Sequence, residues 1–373
     1  MTVPDTAEML AGIREWVEIE SHTADAAGVN RVMDVCASGW ANAGAKVERI
    51  KGRDGFGDLV SVSSPWGAAD EPGILVLCHL DTVHPRGTIK DLAFRIDGDR
   101  CYGPGIYDMK GGAYLAFAAF QAIARAGKST PLPLRFLYTS DEEVGSPTSR
   151  DIIVGHASRA KYVLVTEPAR DGGRIVTSRK GVARFVLTAH GRASHAGAWH
   201  QDGRSAILEV ARQIVDIEAM TDYQRGVTFN VGQITGGTAE NVVPAMCEAS
   251  IDMRIKTVAD AEHFEAHFRA LKAHNPDVTV HVTGGLNRPP YEMNAAGAKL
   301  YAHAQKVASE IGLDLVGVST GGGSDGNFTA PFVATLDGLG VDGDGAHTLH
   351  EHMLISSLPP RMSLQKRLFE TLS

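Results

Sequence analysis

The feature that most constrains this fold is a set of short runs of consecutive apolar residues, each followed by polar residues and then by a helical stretch. GILVLC at 73–78, LPLRFLY at 132–138 and YVLV at 162–165 are apolar at successive rather than alternate positions, the pattern of strands covered on both faces. An opening amphipathic helix is expected over 7–20 and an Ala-rich helix over 111–127. Late in the chain the pattern resumes with a helix over 293–311 and strands over 314–318 and 331–336. The expected architecture is α/β, a mainly parallel sheet with helices on both faces.

Between 180 and 288 the rhythm changes to strand 182–190, helix 203–219, strands 227–234 and 246–255, helix 258–273 and strand 277–283. That order is a βαββαβ, ferredoxin-like unit. Its strands alternate, Ser250, Asp252 and Arg254 against Ile251, Met253 and Ile255, so one sheet face is expected to be covered by helices and the other free. A domain of 180–288 is therefore expected as an insertion into a larger one made of 1–179 and 289–373. With 373 residues, 43% of them hydrophobic, the chain can build both cores. The apolar runs fall well short of the ~20 residues that cross a bilayer, so no membrane association is expected. A net charge of −8 without a basic block argues against a nucleic-acid partner and for a small-molecule one. Four scattered cysteines with no CxxC pair, in a chain without a leader-like start, fit reduced thiols of a cytoplasmic protein.

Ligands of open α/β sheets gather beyond the carboxyl ends of the strands, and each apolar run here leads to groups of one chemical kind. GILVLC is followed by His79 and Asp81, LPLRFLY by Asp141, Glu142 and Glu143, YVLV by Glu167, and strand 331–336 by a glycine-rich loop and His347. Asp108 stands just before helix 111–127. Imidazoles and carboxylates brought together in this number suit a pair of divalent cations, most naturally zinc. Without a cation, such carboxylates would repel one another and take up protons. Asp81, two residues after His79 on an extended backbone, is placed to accept the ring N–H and fix its tautomer. Of the adjacent Glu142 and Glu143, one can bind metal while the other takes a proton from water.

HLD, GPGIYDMKGG, SDEEVGS, TEP, GRASHAG and GGGSDGN, in this order, resemble the dinuclear zinc amidohydrolases that include glutamate carboxypeptidase, acetylornithine deacetylase, succinyl-diaminopimelate desuccinylase and aminoacylase. The similarity is strongest to glutamate carboxypeptidases and includes the NRPP at 287–290. It implies two Zn2+ per chain, with Co2+ or Mn2+ as possible substitutes. Asp108 would bridge the two ions, His79 and Glu167 would complete one site, Glu143 and His347 the other, and Glu142 would be the general base. It also implies a cis peptide between Asp108 and Met109, and a homodimer formed through the inserted lid domain. His195 would polarise the scissile carbonyl in the partner's site. Asn241, Arg254 and the backbone N–H groups around Gly322 and Gly323 would hold a substrate carboxylate. The implied substrate is a peptide or N-acyl amino acid with a free carboxylate.

One segment departs from the family pattern. Where His-Ser is usual before a glutamate, GDGAHTLHEHM carries Thr348, with further histidines at 350 and 352. The four-residue step from His347 to Glu351 favours His347, with His350 as the competing ligand. GGSDG also fits GxSxG, with Ser324, Asp342 and His347 in the chain order of a serine hydrolase. That reading needs a long helix after Ser324, but Pro331 and an apolar run follow within seven residues. A catalytically silent peptide-binding relative would lack a ligand or the base, and every such position is filled.

Overall fold

A computed structural model describes residues 5–68 and 70–373. The chain forms two compact units, one of residues up to 178 with 292–319 and 324–373, the other of 179–291 with 320–323. Gly322 and Gly323 thus group with the second unit.

The first unit is built on a six-stranded sheet in the order Lys46–Ile50, Leu59–Ser63, Leu134–Thr139, Gly73–His79, Ala160–Val165, Ala334–Leu336. Gly73–His79 is buried along its whole length and pairs in parallel with a strand on either side, His79 beside Thr139 and Leu77 beside Val165. The carboxyl ends of three strands therefore meet at one sheet edge. The first two strands are antiparallel additions that the apolar-run pattern did not announce. The expected strand 314–318 is found at Gly317–Thr320 and pairs with Ile175–Arg179 in a separate two-stranded sheet, not in the main one.

Helix Gly111–Arg125 is apolar on nearly every side and buried against the sheet. Its start is possible only with glycine, since a Cβ on Gly112 would lie 2.2 Å from the Thr166 carbonyl oxygen. Below the sheet Trp40, from helix Ala26–Asn42, is fully buried among Phe117, Phe120 and Phe136, with ring centroids 4.9, 4.8 and 4.3 Å away. Its indole N–H donates to the Tyr138 hydroxyl at 3.0 Å, satisfying the one polar atom it takes into the core.

A small antiparallel sheet in the same unit pairs His352–Leu354 with both Gly343–Asp344 and Arg100–Tyr102. Three-residue strands are too short to show a period in sequence, yet this pairing sets the turn carrying His347 beside the segment that leads to Asp108.

The second unit is an antiparallel sheet in the order Thr228–Gly236, Met246–Ile255, Gly181–His190, Thr279–Arg288, with helices Ala206–Glu218 and Val258–Arg269 packed on it. Met246–Ile255 alternates buried and less buried residues, the helix-covered face carrying Cys247, Ala249, Ile251, Met253 and Ile255. Ser205 caps the first helix by accepting from Leu208 N–H at 3.1 Å, and Thr257 caps the second by accepting from Asp260 N–H at 3.1 Å. Where the insertion begins and ends, Arg179 and Tyr291 exchange backbone hydrogen bonds of 3.0 and 3.1 Å.

All four cysteines are buried and unpaired with one another. Among the described residues no helix is long and apolar enough to cross a membrane.

Candidate metal centre

The parallel register delivers the acidic and imidazole groups to one place. His79 ends its strand, and its Nδ1 lies 3.0 Å from the Asp81 main-chain carbonyl but 3.5 Å from the Asp81 carboxylate. The ring thus faces both the backbone carbonyl and, at a longer distance, the expected Asp81 carboxylate. The Asp81 carboxylate also accepts from the Thr23 hydroxyl at 2.7 Å and from the N–H groups of Glu142 and Glu143, both at 3.2 Å. Asp81 therefore fixes the acidic turn relative to the strand end. Asp141 closes that turn from behind, accepting from Thr148 and Ser149.

Asp108 lies between two imidazoles, Oδ1 3.3 Å from His79 Nε2 and Oδ2 3.3 Å from His347 Nε2. Glu167 Oε1 is 3.7 Å from His79 Nε2, and Glu143 Oε2 is 3.1 Å from His347 Nε2. The peptide between Asp108 and Met109 is cis. Two groups of potential ligands with donor atoms within 4.8 Å of one another emerge, His79 with Glu142 and Glu167, and His79 with Asp108 and Glu143. The adjacent glutamates are thereby sorted into different groups.

The electrostatics describe a site that asks for positive charge. Burial acts to raise the Asp108 carboxyl, but hydrogen bonds from His347 and His79 outweigh it and hold the group well below the usual carboxylate range. The carboxylates of Asp108 and Glu143 push the His347 imidazole up to about 11. Burial raises Glu143 despite its contact with His347. Glu143 Oε1 is buried without a hydrogen-bond partner, and His79 Nε2 faces the oxygens of Asp108 and Glu167 at 3.3 and 3.7 Å, atoms that a cation would satisfy. This donor set of imidazole nitrogens and carboxylate oxygens fits divalent metal.

His347, not His350, meets these carboxylates. Its φ of 65° is left-handed, a conformation histidine tolerates better than most residues. Thr348 serves the turn as a hydroxyl, donating to the Gly345 carbonyl at 2.8 Å and accepting from His350 N–H at 3.1 Å. Serine at this position would supply the same group. Glu351, which the sequence marked only by its four-residue step from His347, pairs here with His84, which carried no signal in sequence.

In the second unit, His195 Nδ1 accepts from Gly197 and Ala198 N–H at 3.2 and 3.1 Å, which leaves the proton of a neutral ring on Nε2. The exposed Asn241 accepts at its main-chain oxygen from Ala196 N–H, placing it beside the His195 loop. Arg254 is engaged by Asp252, at 2.6 Å through Nε and 2.9 Å through Nη2, while Nη1 reaches the Gly321 carbonyl at 3.4 Å. Gly322 and Gly323 offer their carbonyls to Arg179 Nη1 at 3.1 and 3.2 Å, and Gly322 N–H donates weakly to Thr320 at 3.4 Å. Ser324 is buried and donates to Asp337 at 2.5 Å rather than to a histidine, which leaves no serine-hydrolase triad around it.

Carboxypeptidase G2 of Pseudomonas sp. (strain RS-16) is 31% identical over 370 residues, covering 95% of this chain and 87% of that protein. Succinyl-diaminopimelate desuccinylase of Dechloromonas aromatica (strain RCB) is 28% identical over 286 residues, covering 73% and 74%. A tripeptidase from Staphylococcus aureus shares the fold with a TM-score of 0.80 at 20% identity, covering 99% of each chain. An M20 family metallo-carboxypeptidase from Sulfolobus solfataricus superposes with a TM-score of 0.76 at 16% identity, covering 97% and 98%. A sequence profile of peptidase family M20/M25/M40 matches residues 75–371, from the strand that ends in His79 to the C-terminal helix, and the chain belongs to that family as a metallopeptidase.

Proposed function

We propose that this enzyme cleaves an amide or peptide bond to an amino acid bearing a free carboxylate, with C-terminal glutamate or a similar acidic residue ranked first. The observation that carries the reading is Asp108, with one carboxylate oxygen toward each of two imidazoles. Likeness to carboxypeptidase G2 over nearly the whole chain supports the carboxypeptidase class. Likeness to desuccinylases supports N-acyl-amino-acid deacylation as the second reading.

Two zinc ions are the proposed metals, one held by His79, Glu167 and Asp108, the other by Asp108, Glu143 and His347; cobalt or manganese are the substitutes. When bound, the pair supplies Lewis acidity to the scissile carbonyl and to the attacking water. Glu142 takes the proton from that water and returns it to the leaving amine. His195, with its Nε2–H free to donate, stabilises the developing oxyanion. Asn241, Arg254 and the Gly322–Gly323 segment hold the substrate carboxylate, Arg254 through the nitrogen that Asp252 does not engage. The second unit serves as lid and dimer interface, a role supported by exposed apolar residues on its edge strand and outer helix, Ile234, Leu208 and Val215. Four buried free thiols support a cytoplasmic location.

The test is a panel of dipeptides and N-acyl amino acids given to chelator-stripped and zinc-reloaded protein. Turnover should vanish with the metal and return with zinc, with acidic C-terminal residues cleaved best. Methyl esterification of the substrate α-carboxylate should cost ~2–5 kcal/mol in kcat/KM, and Arg254→Ala should erase most of that discrimination. Equal cleavage of ester and free acid by the wild type would overturn the carboxylate pocket and promote the deacylase reading.

A further inference from the structure

Glu351 is fully buried, and its carboxylate collects four donors. Oε1 accepts from the N–H groups of Tyr107 and Asp108 at 2.9 and 3.0 Å, while Oε2 accepts from Gly105 N–H at 2.9 Å and faces His84 Nε2 at 2.5 Å. Three of these donors belong to one loop, the loop that presents Asp108. His84 is itself buried, so the ring closes the remaining side of the carboxylate.

A buried carboxylate is a costly way to gain stability alone, because its desolvation offsets much of what its hydrogen bonds return. Charge-assisted bonds to three backbone N–H groups do, however, fix a loop sharply. On its other side Glu351 stands four residues from His347, in a turn tightened by the Thr348 hydroxyl and by Glu351 N–H donating to the Thr348 carbonyl at 3.3 Å. One side chain is therefore tied through its oxygens to the backbone of Asp108 and through the chain to His347.

We infer that Glu351, locked by His84, is a positioning residue that sets the spacing between Asp108 and His347. This inference rests on the proposed reading of those two residues as ligands. Its effect is unequal between the two sites. His79 and Glu167 follow directly from the strands Gly73–His79 and Ala160–Val165, and Glu143 is held by Asp81, so none of them depends on Glu351. The site formed by Asp108, Glu143 and His347 depends on it through two of its three ligands, and the site formed by His79, Glu167 and Asp108 through Asp108 alone. Glu351→Gln keeps the size of the side chain but replaces one of its two acceptor oxygens with an NH2 group, so the loop loses part of the acceptor that its three N–H groups share.

The test titrates zinc alone into full-length, chelator-stripped wild type, Glu351→Gln and His84→Leu, with thermal unfolding of each stripped protein measured in parallel. Glu351→Gln should bind one zinc ~10–100-fold more weakly and the other with a clearly smaller loss. His84→Leu, which leaves the carboxylate its three N–H donors, should show the same unequal weakening to a smaller degree. With cobalt in place of zinc, the absorption bands of one site should change more than those of the other. Two zinc ions bound with wild-type affinity by both variants would overturn the inference. Equal weakening of both sites in step with lowered unfolding temperature would also overturn it, because it would mark a merely structural role. If Glu351→Gln yields no folded protein, His84→Leu decides alone by the same criteria. Asp108→Ala, run alongside, separates the two levels: if it keeps full metal, the ligand reading itself is wrong.

Discussion

Glu142 and Glu143 are neighbours in sequence with opposite assignments, and the difference lies in what surrounds each. Glu143 reaches His347 at 3.1 Å and shares a ligand group with Asp108, whereas Glu142 groups with His79 and Glu167. If Glu142 is the base, Glu142→Ala should keep metal content near wild type, measured by elemental analysis, and lower kcat by ~10²–10⁴-fold. A loss below about tenfold would remove it from that role. Asp108→Ala should instead deplete both metals. The strand-end residues were readable because a parallel sheet leaves its chemistry where each apolar run stops. His84 was not readable: a single histidine five residues after His79 has no periodicity, and its partner Glu351 is distant in sequence by more than half the chain. The position of Asp81 was legible but only part of its job was, since its hold on the N–H groups of Glu142 and Glu143 depends on strands brought together from distant parts of the chain.

Secondary structure followed the strength of its signal. The buried strand at 73–79 and the Ala-rich helix at 111–125 declare themselves through composition alone, while the three-residue strands that place His347 carry too few side chains to declare anything. Helix Ala26–Asn42 escaped for another reason, its small residues diluting the apolar stripe that carries Trp40. That stripe matters for stability rather than chemistry. Trp40→Ala removes a fully buried ring from three aromatic neighbours and leaves the Tyr138 hydroxyl without the indole N–H. It should cost ~3–5 kcal/mol, read as a lower urea midpoint for the first unit. Turnover at low temperature with metal in excess should stay near wild type, because Trp40 touches none of the metal-facing residues. A midpoint unchanged within error would mean that the aromatic cluster collapses around the gap.

At the scale of the molecule, metal-facing residues come from one unit and the substrate-facing candidates, His195, Asn241 and Arg254, from the other. If His195 serves the neighbouring chain, mixing inactive His195→Ala with inactive Glu142→Ala under subunit exchange should restore activity, with one competent site per mixed dimer. Mixtures that stay inactive would confine His195 to its own chain or to no role. The net charge of −8 offers acidic substrates no general attraction, so selectivity for them must come from local cations. The backbone bridge between Arg179 and Tyr291 bears on how such selectivity arises. The stretch 179–291 leaves and rejoins the chain at two adjacent points, one unit carrying the metal-facing residues and the other His195, Asn241 and Arg254. Recombination at those points would exchange His195, Asn241 and Arg254 in one event without disturbing a single metal-facing residue, while 320–323 would stay with the recipient chain. A common chemistry can in this way be redirected by grafting, a route to new specificities much shorter than the accumulation of point substitutions.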